Sequence, residues 1–244
     1  MLTFIFISII FFAAGFIQGL SGFGSALVAM PLLTLFIGVK TAVPLCSLNG
    51  VIITSYLTLH LRSHIDKEKI LPLITGSLPG IYIGVSFLKN AESFLIELLL
   101  GALIVCYGGY SLIYNPRPRK IHRIWSYIAG FSTGFIGSAF SAGGPLAIIY
   151  TTLTGWSRDQ IKATLSVFFL VSGVITVGLH AISGLTDAVV LKYFFASSVF
   201  VFPGVYAGNL LYGRTTRGRY IRIILVTLVI LGLMMIISAF RGKA

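Results

Sequence analysis

"GFIQGLSGFGSALVAM" occupies Gly15 to Met30 and sets four glycines and two serines into an apolar run that extends from Leu2 to Gly38. As one continuous helix that run would be about 55 Å long at 1.5 Å per residue, well beyond the roughly 30 Å of a bilayer's hydrocarbon core. The segment has to break, and its glycines mark where.

The rest of the chain supplies the membrane context. Of 244 residues 57% are hydrophobic and 10% charged, and the mean hydropathy is +0.98, outside the range of soluble domains. Further apolar stretches run from Ala42 to Leu61, Leu71 to Leu88, Ser93 to Tyr114, Trp125 to Leu153, Ile161 to Ser183, Ala188 to Tyr212 and Tyr220 to Phe240. Long apolar runs without alternation mean helices and not a barrel, so the chain reads as an all-α integral membrane protein of 8 to 10 hydrophobic segments. The N-terminus has no Lys or Arg before its apolar core, so it reads as a retained membrane segment and not a signal peptide. The net charge of +12 falls in short loops, where topology explains it without a nucleic-acid partner. Cys46 and Cys106 are isolated within apolar runs and read as packing residues.

The chain also repeats itself. "GFIQGLSG" at Gly15 aligns with "GFSTGFIG" at Gly130, an offset of 115, and "PGIYIG" at Pro79 with "PGVYAG" at Pro203, an offset of 124. Between these anchors Ala42 pairs with Ala163 and Asn49 with Ser172. Residues 1–114 and 124–244 therefore form two membrane repeats, each a broken segment followed by three unbroken ones, with the polar linker 115–123 between them.

Loop charges choose the orientation of the halves. If each broken segment is a hairpin that enters and leaves on one face, Lys40, Lys89, Lys192, Arg241 and Lys243 fall on one side. Arg62, Lys67, Lys69, Arg117, Arg119, Lys120, Arg123, Arg158, Lys162, Arg214, Arg217, Arg219 and Arg222 fall on the other, 13 against 5. Single crossings would give 10 against 8, which is no bias. Equivalent loops also carry opposite charge loads, so the expectation is two inverted-topology repeats. The 117–123 loop is expected to be cytoplasmic and both termini to lie across the membrane.

Polarity concentrates at the two breaks: Gln18, Ser21, Gly22, Gly24 and Ser25 in the first half, Thr133, Gly137, Ser138, Ser141, Gly143 and Gly144 in the second. Helical spacing puts Gly15, Gly19 and Gly22, and likewise Gly130, Gly134 and Gly137, on one face, which suits close helix packing. Packing leaves the polar cluster unexplained. Irregular backbone at membrane depth is tolerated where it is buried or lines a cavity, and helices restarting there present free N–H groups and a positive dipole end. No Lys, Arg, Asp or Glu occurs between Met1 and Gly38 or between Ile124 and Trp156, so a carboxylate cage for a metal is missing and an anion is the expected ligand. Asn49 and Ser172 are candidate flanking ligands, with interhelical hydrogen bonds as their plainer role. His180 and Glu97 are candidates for proton coupling.

These glycine-rich segments, "GFIQGLSGFG" and "GFSTGFIGSAFSAGGPLAI", with the "PGIYIG" and "PGVYAG" echoes, resemble the sulfite exporter TauE/SafE family, also described as the toluenesulfonate uptake permease family. The resemblance covers nearly the whole chain and implies transport of sulfite, sulfonates or related organic anions. It carries the family's glycine motifs onto Gly15, Gly19, Gly22 and Gly24 and onto Gly130, Gly134, Gly137, Gly143 and Gly144. Ser25 and Ala26 stand where a fuller glycine run is expected, so the two breaks can contribute unequally.

The expected function is a transporter of a small anion across the cytoplasmic membrane, with lipid as its other partner, no cofactor, no metal and no catalytic residues. A passive anion channel and a non-transporting membrane subunit are the alternatives, and a homo-oligomer stays open. An enzyme is not expected, because HExxH and CxxC are both missing from the sequence.

Overall fold

The computed structural model describes residues 2–114, 122–212 and 217–241, the side chains of 217–224 and 241 excepted. Every regular element among them is helical: α1 Leu2–Ser21, α2 Ser25–Leu33, α3 Val39–His60, α4 Lys67–Asn90, α5 Ser93–Ile113, α6 Ile124–Phe140, α7 Gly144–Leu153, α8 Arg158–Ile182, α9 Ala188–Leu210 and α10 Arg217–Arg241. A short 3₁₀ turn, Arg62–His64, follows α3. Six helices, α1, α3, α4, α5, α8 and α9, are long and apolar enough to cross a membrane. The protein is an all-α integral membrane protein. Most of the linker, and with it Arg117, Arg119 and Lys120, lies outside the described residues, as do Arg214, Lys243 and the side chains of Arg217, Arg219, Arg222 and Arg241.

Both broken runs part at their polar clusters, but by different local means. Between α1 and α2, Gly22 and Gly24 take φ of +87° and +94°, the left-handed region that a Cβ disfavours. Between α6 and α7 the left-handed residue is Ser141, with φ +57°, while Gly143 has an ordinary φ of −67°. Gly143 is needed for space: a Cβ there would stand 2.6 Å from the Thr133 carbonyl oxygen and 3.1 Å from the Gly137 Cα.

The remaining glycines of the broken runs do pack helices, and they pack across the halves. A Cβ on Gly15 would meet the Val201 carbonyl oxygen at 2.7 Å, and one on Gly19 would overlap Val205 O, both on α9. In the other direction Gly204 and Gly208 of the "PGVYAG" stretch abut the Phe12 and Phe16 carbonyls of α1. The same interlock joins α6 to α4, where Gly130 and Gly134 face Leu73 and Ser77 while Gly76 and Gly80 face Tyr127 and Phe131. These contacts advance together along both chains, so α1 runs parallel to α9 and α4 parallel to α6. Backbones that close gain dispersion contacts that lipid cannot match, which is the use of small residues in membrane interfaces. The α5–α10 pair runs the other way: Gly101 meets Gly232 and Ile236, and Gly108 meets Leu225 and Val229.

Candidate functional site

A cavity of about 100 Å³ opens where the two breaks meet. That is roughly the share of liquid that three waters occupy, so it suits an ion of a few heavy atoms. The first break contributes Gln18, Gly24 and Ser25 to its wall, and the second contributes Thr133, Gly137, Ser138, Ser141, Gly143 and Gly144. Phe23 and Gly24 touch Gly144 across the gap: a Cβ on Gly144 would lie 3.4 Å from the Phe23 ring and 3.9 Å from Gly24 N.

Two long helices complete the wall. Ser47, Gly50 and Thr54 of α3 line it, as do Phe169, Ser172, Gly173 and Thr176 of α8. Each set follows helical spacing on one face. Ser172 thus stands where the sequence suggests, but its repeat partner Asn49 does not. At 100° per residue Asn49 sits about 200° from Ser47, on the far side of α3. There it is fully buried and its Nδ2 donates to Ser197 Oγ at 3.0 Å and to Leu45 O at 3.1 Å, so it links α3 to α9 and stays off the cavity. Ser47, Thr54 and Thr176 were missed because alignment of the repeats, not helical phase, singled out the flanking candidates.

Ser21 and Gly22 are also off the wall. The Ser21 hydroxyl donates within its own turn, to Ile17 O and Phe23 O at 2.6 Å each, and so shapes the break. Gly22 faces α8, where a Cβ would lie 2.7 Å from Lys162 Cγ.

Among the described residues no Asp, Glu, Lys or Arg lines the cavity. The donors it offers are the helix starts and the Thr133 hydroxyl, because the Ser47, Thr54, Ser138 and Ser172 hydroxyls donate to main-chain carbonyls. α2 and α7 both start without a side-chain cap, so first-turn amides at 24–27 and 143–144 are uncapped beside the cavity. Ser25 Oγ donates to Gln18 Oε1, which ties the start of α2 back to α1. Ser47 and Ser141 hydroxyls lie 3.3 Å apart across the α3 side. Thr133, only 2% exposed, has a hydroxyl with no protein partner. A buried hydroxyl left unpaired costs about 1–3 kcal/mol, so a ligand that engages it recovers that cost.

Two side chains of α8 hold the ends of the inner helices. His180 is fully buried, its Nε2 lies 3.0 Å from Ser138 O near the end of α6, and its Nδ1 has no partner. A carbonyl accepts, so Nε2 carries the hydrogen. Lys162, treated as a loop charge in the sequence, is instead 2% exposed within α8. Its Nζ donates to Gly19 O at 2.8 Å, near the end of α1, and to Asn209 Oδ1 at 2.9 Å. A lysine stem can pass through an apolar layer when its head finds carbonyl acceptors, and linear charge counting cannot register that. Glu97 is half-buried near the start of α5, apart from the cavity wall.

Comparison with known proteins fits this architecture. The family model described as "Sulfite exporter TauE/SafE" matches residues 7–235. The chain belongs to the TauE/SafE family. A curated TauE/SafE relative, described as "Probable sulfite/organosulfonate exporter TauE" of Cupriavidus necator, is 28% identical over 132 residues, 52% of this chain and 51% of the relative. The match therefore spans about half the length of that relative. No solved structure matches. TauE/SafE proteins are described as exporters, which are membrane transporters and not enzymes.

Proposed function

We propose that the protein is a transporter of a small sulfur oxyanion, sulfite or a sulfonate, and that the anion binds in the cavity between the two breaks. The observation that carries this reading is a wall drawn from both breaks that holds two uncapped helix starts and the unpaired Thr133 hydroxyl and, among the described residues, no charged side chain. A neutral site with uncapped helix starts and a free Thr133 hydroxyl stabilises an anion without the deep well that a lysine or arginine ligand would create. Such a site can load and release.

The same reading takes residues 1–114 and 124–244 as inverted repeats joined by a cytoplasmic linker, 115–123. Support comes from helix directions: α5 is antiparallel to its repeat partner α10, and α1 is parallel to α9. With short loops reversing the chain between successive long helices, α1 and α3 then point the same way. Only a hairpin at α1–α2 returns the chain to its starting face. Accessibility labels placed at Lys40 and Lys120 should report opposite faces, and labels on one face would overturn the topology. His180 is the proposed proton-coupling group, supported by its unpartnered Nδ1 and its bond to a residue of the cavity wall.

The deciding experiment is flux into proteoliposomes with sulfite, sulfate, methanesulfonate and acetate, with and without an imposed pH gradient. Sulfur oxyanions are expected to move and acetate to lag. Flux of acetate alone, or of none of the four, would overturn the substrate class. Flux indifferent to the pH gradient would remove His180 from the mechanism.

A further inference from the structure

Lys162 has a role that loop charge does not explain. A buried ammonium is costly to desolvate unless acceptors surround it. Lys162 forms no ion pair among the described residues. Its Nζ is shared between Gly19 O and Asn209 Oδ1 and stands 3.6 Å from the centre of the Tyr212 ring. Asp159, one turn earlier, accepts from the Tyr212 hydroxyl at 2.8 Å. With its donors directed at these three groups, the ammonium has none left to ligate a substrate. Its charge nevertheless stands close to the first break, packed under Gly22, while Gly24 two residues on is part of the cavity wall. Along α8 the wall begins at Phe169, seven residues or about 10 Å from Lys162. Thr41 is its counterpart in the first half at the offset that pairs Ala42 with Ala163, so the aligned position carries no such charge.

We infer that Lys162 is a charge-specificity determinant: a positioning residue that holds the first break and raises the cavity's affinity for an anion in proportion to that anion's charge, without touching it. The inference rests on the anion-site reading above. Coulomb energy scales with ligand charge, so a dianion gains twice what a monoanion gains from the same distant ammonium. Removing the charge therefore raises KM for a dianion by the square of the factor for a monoanion. Lost packing raises both alike.

The test uses the full chain in proteoliposomes, with sulfate as dianion and methanesulfonate as monoanion at neutral pH. Lys162→Gln should raise KM about threefold for methanesulfonate and about tenfold for sulfate, while Lys162→Arg keeps both near wild type. Asn209→Asp sets a carboxylate against the ammonium and should shift the sulfate-to-methanesulfonate ratio the same way, which decides the matter if Lys162→Gln does not fold. Equal factors for the two anions, or an unchanged ratio in Asn209→Asp, would overturn the inference and leave the anion site standing. Wild-type vesicles that move neither anion would overturn the site itself, and this inference with it.

Discussion

The two breaks do one job with different residues. In the first, glycines at 22 and 24 take the left-handed turn, and Lys162 fills the space beneath. In the second, Ser141 takes the left-handed turn and glycine is kept for closeness, at Gly143 against Thr133. Two breaks can therefore share a shape without sharing which residue takes the left-handed turn. Both breaks are held from outside by α8, through Lys162 at the first and His180 at the second, but only the second also folds back against its own α6, at Gly143.

That contrast can be broken most sharply at Gly143. Gly143→Val drives a side chain into the Thr133 carbonyl and the cavity, and should abolish flux while costing about 1–3 kcal/mol of stability, read by thermal melting in detergent. Gly144→Val, whose Cβ would be at ordinary contact distance from the Phe23 ring, should retain part of the flux. Equal loss in both would mean that the second break tolerates no bulk anywhere and that closeness at Gly143 is not special.

Gly22→Ala should come next. It forces a Cβ into the left-handed region against the Lys162 stem, at about 1–3 kcal/mol, and should lower the melting temperature and the flux together. Thr133→Val separates site from scaffold. Removing an unpaired hydroxyl should leave stability level or up by about 1 kcal/mol, while flux drops roughly tenfold if the hydroxyl meets the anion. Unchanged flux would remove the Thr133 hydroxyl from the site and leave the helix starts to bind the anion. Ser141→Gly should be the mirror of Gly22→Ala, with stability raised by under about 1 kcal/mol, because relief of the left-handed serine is partly offset by glycine's chain entropy.

The smallest effect lies outside both breaks. Asp66 accepts from Glu68 N at the start of α4 and pairs with Lys69 Nζ at 3.0 Å, and the Lys69 hydrogen bond holds its carboxyl below the usual carboxylate range. Its folded pKa is depressed, so its contribution is present above the ordinary carboxylate pKa and is lost as pH falls through the lower folded value. The pair is exposed and screened. A pH titration of the melting temperature should therefore differ between wild type and Asp66→Asn by only about a degree near neutrality and converge in acid.

Much of this architecture was legible before any coordinates. Apolar length gave the helices, and polar clusters within over-long runs gave the positions of both breaks. The part of the cavity wall that the breaks supply followed, because residues crowded at a break stay together in space. What stayed hidden depends on direction around a helix and on partners remote in sequence. Asn49 has the chemistry of a ligand but the phase of a linker to Ser197. Ser47 and Thr54 have the phase, but each hydroxyl also donates to a carbonyl of its own helix, so neither carries a local signal of the cavity it lines. Lys162 looks like any basic residue after a helix cap until Gly19 and Asn209, 143 and 47 residues away, supply its acceptors. Which residue in a break turns left-handed is likewise settled by packing, since glycine was present at both.

The crossed packing of α1 on α9 and of α6 on α4 sets an order of assembly during synthesis. α6 emerges after α4 and can dock at once. The glycine face of α1 has to wait for Val201 and Gly204, which follow Gly15 by nearly the whole chain. At 5–20 residues per second that wait is roughly ten to forty seconds. Of the three interlocked pairs α1 has the longest wait, and through that interval it stays in lipid with a face of small residues open. Insertion machinery, or lipid itself, has to keep that seat free until α9 arrives.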